Sequence, residues 1–360
     1  MLYKNYLKSV VVSFLVSSIF FVIAALYQIG APTESSRWLY EVDKIKTSFA
    51  NSITTPKLLI VSGSNSLFGI SSRMITEETG IPAVNAGIHA GFGSNYILYR
   101  ARFLAKPGDT VLLPLEYELY SSSAKPSDIL VDYVFAHDPK YLLTHPWFIA
   151  SLSFERLMHG IYAKFHTPPR VDIGYQYRFI NASGDAAANQ EGNITMKERK
   201  KLDAATPIKI KQKLIYGSFE NRSIKEFSDW CHKNKIRLIA TWPSTIWFEC
   251  YKEPGYQEFF LSIQKFYTSI DVPVLGKYSD FMYDKSMFYD TVYHLNDRGM
   301  RHRTRQLIDL LQPYLSGMTD HKKRAGGTGG ERGAPPASPA QEQLFSVPIV
   351  TTREPCQRQD

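Results

Sequence analysis

Three separated stretches hold the residue types that nucleophilic chemistry needs. In VSGSNSLFGI an apolar run stops at Ser62, Gly63, Ser64, Asn65 and Ser66 before resuming at Leu67. A serine where a strand end turns into a helix can project its hydroxyl into the mouth of a parallel sheet, with backbone amides nearby to meet a developing oxyanion. Gly63 gives the backbone room for such a turn. A hydroxyl is a weak nucleophile and needs a base. Asp290 and His294 in FYDTVYHLN are suited to supply it, the carboxylate fixing the tautomer and orientation of the imidazole. The third stretch, NAGIHAGFG, has Gly87, Gly91 and Gly93, where backbone can approach a ligand closely. The Gly87 amide becomes an oxyanion donor if its strand lies beside the first. Plainer readings stand beside these: a serine that only caps a helix over 67–79, and an exposed loop with a surface histidine. The first stretch is also not a G-x-S-x-G elbow, because Ser62 holds its first position.

The elements that must position these groups follow from the hydrophobic pattern. Residues 57–62 read as a short buried strand, 71–79 as a helix, and 81–86 as a second strand entering the glycine-rich stretch. A helix over 94–105, a turn at Pro107-Gly108-Asp109 and a third strand over 110–115 come next. This alternation predicts an α/β fold with a central parallel sheet covered by helices. It breaks at residues 120–205, where DILVDYVF and PWFIASLSFERLMHGIY precede the polar NASGDAAANQEGN. Those residues are expected to form a large insertion with an exposed loop beside the site. The alternation then resumes with a helix over 222–234, a strand over 236–242, a helix over 255–268 and a strand over 272–275. A helix over 297–314 closes the fold, with Asn296 or Asp297 near its start.

No charged residue occurs between Ser9 and Thr33, and residues 9–30 are long enough to cross a bilayer as one helix. Lys4 and Lys8 before it, with Glu34 and Arg37 after it, favour residues 1–8 in the cytoplasm and the body outside. A cleaved signal peptide and a buried core helix are the competing readings, the small Ala24, Ala25 and Ala31 favouring the first. The body is expected over residues 34–317, starting with a juxtamembrane helix over 34–55. Residues 318–360, rich in Gly and Pro and poor in apolar residues, are expected to be a disordered tail.

With 360 residues, 44% of them hydrophobic, the chain can bury a large core. Three cysteines are too few and too scattered for a disulfide framework or a thiolate metal site, although one Cys231–Cys250 bridge is compatible with the count. His89 has no carboxylate and second histidine at ligand spacing, so neither a metal nor another cofactor is expected. The net charge of +8 comes from dispersed basic residues without interleaved aromatics, which argues against nucleic acid and suits anionic lipid or polysaccharide.

In order along the chain, VSGSNSLFGI with GSN at 63–65, NAGIHAGFG, PGDTVLLPLEYELY and YDTVYHLNDRG resemble the SGNH hydrolase superfamily. The nearer likeness is to its membrane-anchored bacterial branch, related to D-alanyl transfer and exopolysaccharide acetylation proteins. It covers residues 35–315, weakly in the insertion. The resemblance implies a three-layer fold in which Ser64 is the nucleophile, followed by Asn65, with Gly87 in the oxyanion hole and Asp290 and His294 as acid and base. The sequence departs from that pattern in three places. The G-D-S opening reads Ser62-Gly63-Ser64, the D-x-x-H spacing is lengthened, and LPLEYELY stands where a G-x-N-D block is expected. Glu116 and Tyr117 are candidates for shaping that part of the cleft, and Asn95 is a more distant one. The implied activity is serine-dependent acyl transfer, O-acetyl above all, to a cell-envelope or secreted polysaccharide, or ester hydrolysis on it. The implied partners are the glycan, a polytopic membrane acyl donor and the lipid bilayer, with the body on the periplasmic or outer side of a bacterial inner membrane. The alternative is a catalytically inactive glycan-binding or scaffold protein of the same assembly.

Overall fold

The computed structural model describes residues 2–120, 126–166, 179–187, 189–209 and 219–324. Most of the charge-free stretch, with Lys4 and Lys8 before it, satisfies its backbone internally as one helix, α1 (Leu2–Tyr27). Its segment Tyr3–Tyr27 is long and apolar enough to cross a membrane and only 6% buried against the rest of the chain, unlike a core helix. Thr33 then opens α2 (Glu34–Ser52) through a capping box with Ser36.

The alternating segments form the expected parallel sheet. β1 (Leu58–Ile60), β2 (Ala83–Asn85), β3 (Thr110–Leu113), β4 (Arg237–Thr241) and β6 (Val274–Leu275) lie in the order β2-β1-β3-β4-β6. Leu59 is level with Val84 on one side and Val111 on the other. The first three strands are buried on both faces, which is why their sequences are continuous apolar runs rather than alternating ones. At the entry edge Asp109, held in the turn by Gly108 at φ +90°, accepts from the backbone amides of Lys57 and Lys106 and pairs with the buried Lys57 ammonium. After β1 the chain crosses to β2, and then returns over β1 to β3 and onward. The reversal places a crevice at the carboxyl ends of β1 and β3.

Helices cover both faces. α3 (Ser64–Gly69) and α4 (Ser72–Thr79) pack with α12 (Asp297–Arg324), while α5 (Gly93–Leu104) packs with α2 and α10 (Phe219–Lys233). The insertion adds α6 (Asp128–His137), α7 (Pro139–Thr144), α8 (Phe154–Phe165) and α9 (Met196–Asp203). A two-stranded parallel pair that the sequence does not announce, β5 (Thr245–Ile246) with β7 (Met282–Tyr283), flanks α11 (Pro254–Ser269).

Four expectations are corrected. The helix expected over 71–79 is α4, but the continuous helix over 67–79 of the plainer serine-cap reading is divided between α3 and α4, because Ile70 adopts an extended conformation and Ser71 caps the second helix. The polar stretch expected to be exposed is in part a buried strap, residues 183–186 and Asn189 being buried, with Asp185 and Asn189 each 1% exposed, while residues 190–193 face solvent as expected. Asp185 accepts from the amides of Ser72 and Arg73 at the start of α4, and Asn189 donates to the carbonyls of Phe68 and Leu295. Its polar side chains therefore complete backbone groups instead of facing water. Cys231 is a buried free thiol, so the Cys231–Cys250 bridge is not made. The closing helix continues to Arg324, past the expected boundary at 317. The remainder of the expected tail, 325–360, lies outside the described residues, as do 121–125 and 167–178 of the insertion.

Candidate active site

Ser64 is the first residue of α3, at the carboxyl end of β1. Gly63 is its N-cap and provides no side-chain cap. A Cβ at Gly63 would lie 2.5 Å from the Ala90 amide nitrogen and 2.4 Å from Glu116 Oε1, so glycine is required where the glycine-rich loop crosses this turn. The Ser64 amide, at the first helical position, has no acceptor among the described hydrogen bonds.

The structure brings Ser64, His294 and Asp290 together across 230 residues of sequence. Ser64 Oγ lies 2.9 Å from His294 Nε2, and His294 Nδ1 lies 2.8 Å from Asp290 Oδ1. With the neutral imidazole donating from Nδ1 to the carboxylate, Nε2 is left to accept the serine proton. The loop holding the pair is tightly specified. Phe288 bridges to Leu295, and the Tyr289 amide donates to the His294 carbonyl at 2.7 Å. Thr291 Oγ1 accepts from the His294 amide, and the Ile246 amide of β5 donates to Val292. Phe68 of α3 stacks on the imidazole at 4.4 Å between centroids. His294 and Asp290 are 5% and 4% exposed, which removes competing water from their hydrogen bond.

A buried carboxylate sets the serine turn. Glu116, just beyond β3, accepts from the amides of Gly63 at 3.0 Å and Asn65 at 2.9 Å, thereby clamping both sides of Ser64. Asn65 donates to the Pro114 carbonyl at 2.7 Å, and its Oδ1 accepts from Arg303 Nη1 at 3.0 Å. Arg303, fully buried on α12, also donates to Trp242 O and Ser244 Oγ. Burial lowers its pKa to about 10, opposed by charges that include Glu116. Asn65 thus ties the serine turn to the end of β3 and to α12 through one amide N–H and its Oδ1.

Gly87 lies against the same turn. A Cβ there would be 2.0 Å from Ser66 Oγ and 2.5 Å from the Gly63 carbonyl oxygen. Its amide donates to Asn85 Oδ1 at 3.2 Å, a long bond that a better-placed acceptor can replace. Tyr117 is buried among aromatic rings, 5.1 Å from Phe260 and 6.5 Å from Tyr293, and burial pushes its hydroxyl pKa well up. Asn95 is not gathered into the site. Its Oδ1 accepts from Ser223 of α10, and it lines a separate cleft of about 340 Å³ with Tyr99, Arg102 and His145.

His89 makes a hydrogen bond within the glycine-rich loop that the sequence did not disclose. The Gly91 amide donates to its Nδ1 at 2.9 Å, so the neutral ring carries its proton on Nε2. Burial, followed by the proximity of His294, holds its pKa below the usual imidazole value and keeps it in that neutral form. Nε2–H is then left to donate, and His294 is close enough to influence the ring. The only available signal was a histidine among glycines that bring backbone toward the serine turn. Arg303 was missed as well, and the signal for it was that it shares one helical face with the buried Leu307 and Leu311. No group of three or more His, Cys, Asp or Glu side chains suited to a metal occurs among the described residues. No family model matches this sequence, and no curated protein matches it.

Proposed function

We propose that the chain is a membrane-anchored SGNH-type enzyme that transfers an acyl group through Ser64. The observation that carries this reading is the continuous hydrogen-bond relay from Ser64 Oγ through His294 to Asp290. As Ser64 attacks an acyl carbonyl, His294 Nε2 takes the hydroxyl proton while Asp290 stabilises the imidazolium. The Ser64 amide, the Gly87 amide released from Asn85 and the His89 Nε2–H are the donors for the oxyanion, His89 replacing the absent Asn block. Collapse expels the leaving group, which takes the proton from His294 and leaves an ester on Ser64. A sugar hydroxyl of an envelope glycan, or water, then attacks that ester with His294 as base.

An apolar N-terminal anchor supports transfer from a polytopic membrane acyl donor, with the body on the periplasmic side. A scaffold that only binds glycan would have no use for a desolvated Asp-His pair aimed at a serine. The test is complementation of a deletion strain with Ser64→Ala at normal protein abundance. Loss of envelope-polymer ester is the expected result, and full restoration would overturn the catalytic reading in favour of the scaffold.

A further inference from the structure

The insertion holds an apolar surface that the proposed chemistry does not use. On α8, Phe154, Met158, Tyr162 and Phe165 are 73%, 48%, 62% and 69% exposed, and their spacing places them along one stripe. The opposite face is occupied. Arg156 pairs with Asp132 and donates from Nη1 to Gln28 Oε1 at 2.7 Å. A Cβ at Gly160 would lie 1.9 Å from Gln28 Oε1, so only glycine lets α8 cross this close to the residue that follows α1. Lys164 Nζ donates to the Ile29 carbonyl at 2.6 Å and sits 5.9 Å from the centroid of the Tyr27 ring.

These contacts fix the height of α8. Gln28, Ile29 and Tyr27 mark the end of the apolar segment Tyr3–Tyr27, so the exposed stripe begins where the lipid-facing surface of α1 stops. Trp147, shortly before α8, is also exposed, and aromatic residues are enriched at membrane–water interfaces. A helix with one aromatic face and one polar face at the level of a span's end fits the interface plane.

We infer that α8 is an interfacial helix whose Phe154, Met158, Tyr162 and Phe165 enter the leaflet at the C-terminal end of α1. A single anchor leaves a body free to swivel about it. A second lipid contact, locked to α1 through Gln28, sets the body's orientation and holds its acyl site at one height above the bilayer. The inference rests on α1 being a membrane anchor and not on the acyl-transfer reading.

The test places the photocrosslinker p-benzoylphenylalanine at Tyr162, at Phe165, at Phe14 within α1 and at Leu261 on α11, in the full-length protein. Each variant is irradiated in phosphatidylethanolamine and phosphatidylglycerol nanodiscs, and adducts are read by mass spectrometry. Lipid adducts at positions 162 and 165 comparable to those at 14, and none at 261, are expected. Adducts at 14 without any at 162 or 165 overturn the interfacial helix while leaving the anchor intact. Crosslinks from 162 or 165 to a second copy of the chain, in place of lipid, assign the face to self-association and overturn it as well. Absence of lipid adducts at 14 overturns the anchor reading and this inference with it.

Discussion

Ser64 is held between two amides that donate to Glu116, so the nucleophile's position depends on a carboxylate it does not touch. Glu116→Ala leaves both buried donors without an acceptor, at a cost of about 1–3 kcal/mol each. Chemical denaturation is expected to show that loss together with reduced activity, while Glu116→Gln retains one acceptor and more of both. Gly87→Ala inserts a methyl group against Ser66 and the Gly63 carbonyl, and overpacking of this kind costs about 1–3 kcal/mol. In the proposed mechanism His89 donates to the transition-state oxyanion. His89→Ala is expected to lower kcat by roughly 10²–10³-fold, the usual loss for one oxyanion donor, with KM little changed. Recovery of part of that loss in His89→Asn, whose amide also donates, separates donation from packing. Asp290→Asn is expected to reduce kcat on the order of 10⁴-fold by destabilising the productive tautomer.

At the level of elements, the strands and helices of the parallel sheet were legible because apolar runs and amphipathic helices alternate. The strap around Asp185 and Asn189 was not, because polar composition reads as solvent exposure unless the backbone groups it satisfies are known. β5 and β7 were also missed, two residues each being too short for periodicity to register. The strap has a measurable counterpart in Lys46 of α2, fully buried and donating to the Asn85 carbonyl at 2.7 Å and to Gly184. Burial lowers its pKa to about 7, against a smaller opposing pull from Asp185. The unfolded chain keeps Lys46 near 10.5, so above about pH 7 the unfolded state binds the extra proton and stability rises with pH. Below that value both states are protonated and the full cost of burying the charge remains. Calorimetry is expected to show Tm of the wild type rising between about pH 7 and pH 9, and Lys46→Met to remove that slope whatever its effect on Tm at one pH.

Across the whole molecule, the sequence disclosed an N-terminal helix long and apolar enough to span a bilayer and the parallel sheet from local patterns, whereas the Ser64, Asp290 and His294 set emerged only from separate stretches taken together. It did not disclose which face of α8 remains outward, because only the packing of Gly160 on Gln28 reveals it. Glutamate at both Tyr162 and Phe165 is expected to leave Ser64 reactivity in detergent unchanged while lowering envelope-polymer ester in cells. Ester content equal to wild type would mean that orientation on the bilayer does not matter for function. The proposed chemistry depends on the reactivity of one hydroxyl, that of Ser64. A fluorophosphonate probe, which phosphonylates an activated serine and expels fluoride, should label the wild-type protein on Ser64, fail to label Ser64→Ala, and label His294→Ala far more slowly. Wild-type protein left unmodified, or Ser64→Ala labelled as fast as the wild type, would contradict the account.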